Sequence, residues 1–259
     1  MMLLKYIRSF FKRANFPNCT TSNICSWLVS LSYFLGSYII MPFYFRNINI
    51  IGKENIPKTG AVILAPTHRS RWDALIIAHA TGRLVTGRDL RFMVSMDEVK
   101  GLQGWFIRHL GGFPINPKNP AVSCFRHGVE LMLNREMLVI FPEGRIYRDR
   151  QVHSLKTGLA RIALQAESHQ PNLDVKIVPI CLNYDPVMVS RGCNVTVKIG
   201  NPLSVKDDVN DLGKKRAQKL TTDLEMALKS LNFQSGKLKQ FPSITYQGLK
   251  SLANSLSHF

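Results

Sequence analysis

A chain of 259 residues, 45% hydrophobic and 20% charged, has enough apolar material for one sizeable α/β domain with appendages, which excludes a mainly disordered protein. Its 34 basic residues against 17 acidic ones give a formal net charge of +17, a surface that seeks phosphate in nucleic acid or in anionic lipid headgroups. The five cysteines, Cys19, Cys25, Cys124, Cys181 and Cys193, form no C-x-x-C pair and no zinc spacing, so they read as buried or incidental thiols in a reducing compartment and no metal is expected.

Charge is unevenly spread along the chain. No acidic residue precedes Glu54 and none follows Glu225. In Met1–Arg13 the apolar Leu3, Leu4, Ile7, Phe10 and Phe11 recur at helical spacing opposite Lys5, Arg8 and Lys12, the pattern of a basic amphipathic helix at a membrane surface. Ala14–Phe45 carries no charge. Within it Ile24–Phe45 is long and apolar enough to cross a bilayer, while Ser26, Ser30, Ser32, Ser37 and Pro42 suit about as well a helix lying in the interface or a helical hairpin dipping into one leaflet.

From Arg46 onward short apolar runs alternate with helical stretches. Strands are expected at Ile48–Ile51, Ala61–Ala65, Arg91–Val94, Phe113–Ile115, Met137–Phe141, Val175–Asn183 and Asn194–Ile199. Helices are expected at Asp73–Thr81, around Gly104–Leu110, at Ala121–Asn134, at Leu155–Glu167 and over Lys206–Leu231. This alternation implies an α/β fold with a mixed, mostly parallel sheet flanked by helices. The domain plan is a membrane-associated segment over 1–45, an α/β domain over 46–232, and a basic tail over 233–259 with no assigned role.

Two clusters carry chemistry. The strand Ala61–Ala65 exits into Pro66-Thr67-His68-Arg69-Ser70-Arg71-Trp72-Asp73, at the end of a strand where α/β folds place ligands. His68 and Asp73 would point about 140° apart on one regular helix. They meet only if His68 occupies the turn before the helix. Imidazole has the basicity to deprotonate a hydroxyl near neutral pH, and a carboxylate on its other nitrogen fixes the tautomer. Ser70 is the expected N-cap with Asp73 at N3, so Asp73 also fits a capping box that serves only the backbone. The strand Met137–Phe141 leads into Pro142-Glu143-Gly144-Arg145, then Arg148, Arg150 and Lys156. Glu143 suits accepting hydrogen bonds from hydroxyls and Arg145 suits gripping phosphate; a turn ahead of a solvated basic loop is the bland alternative.

Taken together, His68-x4-Asp73 and Phe141-Pro142-Glu143-Gly144-Arg145 resemble the glycerolipid acyltransferases of the 1-acylglycerol-3-phosphate acyltransferase type. The likeness extends to Gly52-x-Glu54-Asn55-Ile56-Pro57, Gly104-Trp105, Gly112-Phe113-Pro114-Ile115, Lys156-Thr157-Gly158 and Ile177-Val178-Pro179-Ile180, covering about Ile48 to Leu203. The resemblance implies a single-step transfer from acyl-CoA or acyl-carrier protein, with His68 as base and Asp73 as its partner. Glu143, Gly144, Arg145 and Lys156 would bind a lysolipid acceptor, 1-acyl-sn-glycerol-3-phosphate above all, and no cofactor beyond the acyl donor is implied. No G-x-S-x-G elbow offers an acyl-enzyme serine. Asn116-Pro117 and Ser95 stand where the family commonly carries basic residues, Lys118 and Arg126 being the nearest cations to the first. These departures keep another lysolipid open as acceptor.

The expected partners are therefore the lipid bilayer, the acceptor and the acyl donor, with the site at the cytoplasmic face. Nucleic-acid binding is the first rival; it calls for a compact basic patch with interleaved aromatics, which the chain lacks. A non-catalytic membrane scaffold is the second, and it predicts decay of motifs that are intact here. His68, His79, His109, His127 and His153 show no metal-binding spacing.

Overall fold

The computed structural model describes residues 24–205 and 213–238. The amphipathic helix expected at Met1–Arg13 and the tail beyond residue 238 lie outside the described residues.

Eight strands form one sheet: β1 (Asn47–Ile51), β2 (Val62–Pro66), β3 (Leu90–Ser95), β4 (Gly112–Ile115), β5 (Met137–Val139), β6 (Lys176–Asp185), β7 (Asn194–Ile199) and β8 (Leu203–Ser204). Their order is β1-β7-β6-β2-β5-β3-β4, with β8 beside β6. Pairing is parallel for β1/β7, β2/β6, β2/β5, β3/β5 and β3/β4, and antiparallel for β6 with β7 and β8. The sheet is thus mixed and mostly parallel, as the strand–helix alternation implies.

Helices cover both faces, which is why the central strands read as unbroken apolar runs. All five residues of β2 are buried. Val62 and Leu64 enter one core, with Met41, Ile76, Ile77 and Ala80. Ala61, Ile63 and Ala65 enter the other, with Val129, Met132, Ile162, Ala163 and Leu228. The first core is roofed by α1 (Ser26–Tyr44) and α2 (Asp73–Thr81), and the second by α4 (Val122–Leu133), α5 (Gly158–His169) and α6 (Gly213–Leu238); α3 (Gly101–His109) leads into β4.

The uncharged segment forms α1, which includes a π-helical turn at Gly36–Ile40 and is long and apolar enough to cross a membrane by length and composition. Leu28, Val29, Ser37 and Met41 are nevertheless buried against the domain. Both ends are bonded to it. Cys25 N–H donates to the His109 carbonyl at 3.0 Å, and just past the helix Arg46 N–H donates to the Cys193 carbonyl at 3.1 Å. Gly82 lets the helix approach, since a Cβ there would lie 2.3 Å from the Tyr33 hydroxyl.

Candidate active site

The turn between β2 and α2 is built around one carboxylate. Asp73 is the first residue of α2 and is fully buried. Its Oδ2 accepts from the backbone N–H of Arg69 at 2.5 Å, from that of Ser70 at 2.9 Å, and from His68 Nδ1 at 2.8 Å. Its Oδ1 accepts from the Tyr184 hydroxyl at 2.6 Å. Asp73 therefore serves the backbone and the imidazole at once, so the two sequence readings are parts of one arrangement. Ser70 is not the N-cap: α2 starts three residues later, and Ser70 Oγ accepts instead from the Trp72 N–H at 3.2 Å.

Because Asp73 can only accept here, His68 Nδ1 carries its proton and Nε2 carries the lone pair. The ring is held by stacking on Phe141, with centroids 4.1 Å apart and planes inclined by 24°. His68 keeps 20% of its side chain exposed and lines a groove of about 1000 Å³. Burial, and then the Asp73 charge, push the Tyr184 phenol far above its usual value near 10, so it remains a donor to the carboxylate.

Glu143 lies beneath this turn rather than in the groove, with 2% of its surface exposed. Oε2 accepts from the His68 N–H at 2.7 Å and from Arg69 Nη1 at 2.8 Å; Oε1 accepts from Arg69 Nη2 at 3.1 Å and from the His153 N–H at 3.0 Å. Arg69 is itself buried and also donates to the carbonyls of His68 and Gln151. With both oxygens occupied, Glu143 braces the His68 turn from beneath and does not line the groove. Arg69 and Tyr184 are the residues that sequence reasoning missed. Their partners lie 74 and 111 positions away, and only the arginine inside the His68–Asp73 motif offered a hint.

The remaining predicted residues line the same groove as His68. Gly144 takes a left-handed φ of 72°, and the Lys156 side chain packs where its Cβ would be. Arg145 and Lys156 are exposed and border the groove with Arg71 and Arg161. Lys156 Nζ donates to the Pro117 carbonyl at 3.4 Å, so a cation reaches the stretch where Asn116-Pro117 replaces the expected base. Ser95 and Pro117 line the groove; Lys118 and Arg126 do not. Elsewhere its wall is mostly apolar, with Val29, Met41, Leu90, Phe92, Ile107 and Leu110, interrupted by Ser37, His79, Gln103 and the Glu98 carboxylate that pairs with Arg71. Among the described residues no three His, Cys, Asp or Glu side chains gather as a metal site.

A family model described as Acyltransferase matches residues 47–183, more than half of the chain. The chain belongs to the acyltransferase family. A 1-acyl-sn-glycerol-3-phosphate acyltransferase of Streptococcus pneumoniae is 30% identical over 159 residues, 58% of this chain and 54% of its own length. A chloroplastic enzyme of the same name from Arabidopsis thaliana is 27% identical over 170 residues, 64% of this chain and 44% of its own. This chain thus spans about half the length of these relatives. In three dimensions it resembles the 1-acyl-sn-glycerophosphate acyltransferase PlsC of Thermotoga maritima, with a TM-score of 0.62, 20% identity, and coverage of 93% of this chain and 90% of that one. That likeness concerns the fold of this acyltransferase family member.

Proposed function

We propose that this acyltransferase moves a fatty acyl group from acyl-CoA or acyl-carrier protein to the free hydroxyl of a lysolipid, with 1-acyl-sn-glycerol-3-phosphate as acceptor. The observation that carries the reading is the Asp73-oriented His68, its Nε2 left free at a groove that joins an apolar wall to a cluster of cations. In the reaction, Nε2 takes the acceptor's hydroxyl proton as the oxygen attacks the thioester carbonyl. The C–S bond breaks, and the imidazolium returns the proton to the departing thiolate. Arg145, Lys156 and Arg161 suit the acceptor's phosphate, and the apolar wall suits an acyl chain. A different lysolipid acceptor is favoured by one observation, the uncharged Ser95 and Pro117 in the groove lining.

The test is transfer by the purified protein in detergent from labelled acyl-CoA or acyl-carrier protein onto a panel of lysolipids, with products read by mass. His68→Ala should lower kcat by about 10²–10⁴, and Asp73→Asn by a comparable factor through the wrong tautomer. An unchanged rate in His68→Ala, or no product from any acceptor, refutes the reading. The location that accompanies it is the membrane surface, with α1 lying along the bilayer rather than through it, because the helix is bonded to the domain at both ends.

A further inference from the structure

The loop after Gly144 holds a group the reaction scheme leaves unused. The rings of Tyr147 and His153 stack with centroids 3.6 Å apart and planes inclined by only 8°. The Arg145 guanidinium carbon lies over the same tyrosine ring, 4.6 Å from its centroid. Two planar groups cannot share one face at these distances, so Tyr147 is sandwiched, with His153 behind it and Arg145 in front. His153 is fixed in turn, its Nε2 lying 2.8 Å from Asp149 Oδ2.

The loop is also stapled to the base. Tyr147 N–H donates to the His68 carbonyl at 2.9 Å. His153 N–H donates to Glu143, and the Gln151 carbonyl accepts from Arg69 at 2.6 Å. The ring stack is therefore registered on the backbone of His68 itself. An exposed arginine otherwise samples many rotamers, and a guanidinium held over an aromatic face is restrained while its N–H groups stay available for contact with phosphate.

Building on the acyl-transfer reading, we propose that Asp149, His153 and Tyr147 form a positioning stack that aims Arg145 at the phosphate monoester of the acceptor. The stack makes the enzyme selective for phosphate-bearing acceptors over neutral ones. None of its three members touches the reacting atoms. Their contribution is to pre-order the arginine, which acts on acceptor affinity and not on the proton transfer.

The experiment measures kcat and KM of the full chain for 1-acyl-sn-glycerol-3-phosphate and, as the phosphate-free comparison, for a monoacylglycerol. Tyr147→Ala should raise KM for the phosphate acceptor about three- to tenfold with kcat nearly unchanged. It should leave KM for the monoacylglycerol as it was. Tyr147→Phe keeps the aromatic face and should behave as the parent protein. His153→Ala, which spares the tyrosine and removes its brace, should give a smaller rise of the same kind, so the proposal does not depend on one variant folding. Adding Tyr147→Ala to Arg145→Ala should cause no further rise, because the stack acts only through the arginine. The proposal is overturned by equal effects on both acceptors, by additive effects of the two substitutions, or by a fall in kcat alone. If the parent protein transfers acyl groups in a His68-dependent way while Tyr147→Ala matches it, only the stack is refuted. If the parent protein transfers to no acceptor, the acyl-transfer reading falls and the stack's role falls with it.

Discussion

At the level of single residues, the site depends on two buried carboxylates with different tasks. Asp73 faces the imidazole, while Glu143 faces four donors, two on each oxygen: the His68 N–H and Arg69 Nη1 on one, Arg69 Nη2 and the His153 N–H on the other. In Glu143→Gln, whichever end of the amide becomes NH2 must point at two donors. The Arg69 guanidinium is also left buried without its counter-charge, and breaking a buried pair on one side costs about 3–5 kcal/mol. Denaturant unfolding of Glu143→Gln should therefore show a loss of this order, about 3 kcal/mol or more. Steady-state kinetics should show a fall in kcat exceeding any rise in KM, since the His68 turn loses its support. A rise in KM alone would return Glu143 to acceptor binding. The His68–Asp73 pairing was legible because a five-residue spacing across a strand-to-helix turn is a local matter. The inward aim of Glu143 was not, because a Pro-Glu-Gly turn looks solvated until Arg69, 74 positions earlier, is folded beneath it.

Among the elements, those with a clear period and clear flanks were readable. α2 spans the expected Asp73–Thr81, and the strands agree within a residue or two, β5 stopping at Val139, two short of Phe141. There Ile140 N–H still bonds to the Leu64 carbonyl, so the chain continues beside β2 without a ladder. α5 begins at Gly158 rather than Leu155; Lys156 N–H ties the preceding loop to the Pro142 carbonyl, and Leu155 packs on the core from that loop and mimics a helical apolar position. β8 has two residues, too few for any pattern. The docking of α1 depends on polar contacts that an apolar run does not advertise. Ser37 Oγ lies 3.0 Å from His79 Nδ1 in the π-helical turn. Burial, and then the Lys53 charge, hold His79 below its usual value near 6.5. The folded state thus binds fewer protons here than the unfolded chain, so this contribution to stability is complete above pH 6.5 and is lost as pH falls through 6.5 toward the lowered folded value. The protection of α1 amides from hydrogen exchange, taken relative to the intrinsic rate at each pH, should fall across that interval. His79→Gln should flatten the dependence; an unaltered pH profile in that variant would clear His79 of any part in it.

For the molecule as a whole, the proposed function makes the outer face of α1 the surface expected to meet lipid. Trp27, Phe34, Tyr38, Ile39 and Phe43 are each more than half exposed, a continuous apolar face of the kind soluble proteins seldom leave uncovered. The inner face of the same helix lines the groove through Val29, Tyr33, Gly36 and Met41, so a lipid drawn from a bilayer beneath α1 would pass beside His68. Arg191 lies 4.0 Å over the Phe43 ring, a cation beside this apolar face, and the +17 net charge of the chain would attract an anionic surface from a distance. Docking is then expected to combine apolar insertion with charge attraction. Fully burying one large apolar side chain contributes about 1.5–3 kcal/mol, so replacing Phe34 and Phe43 by Ser should weaken binding to anionic vesicles at least about tenfold. Raising salt should weaken it further by screening the basic surface. Cosedimentation with vesicles measures both effects. Activity on acceptors presented in vesicles should fall in parallel, while transfer to a short-chain acceptor free in solution should persist because the groove and the His68 turn are untouched. Equal loss on both acceptors would mean that the two phenylalanines support the fold of the groove and not the contact with lipid.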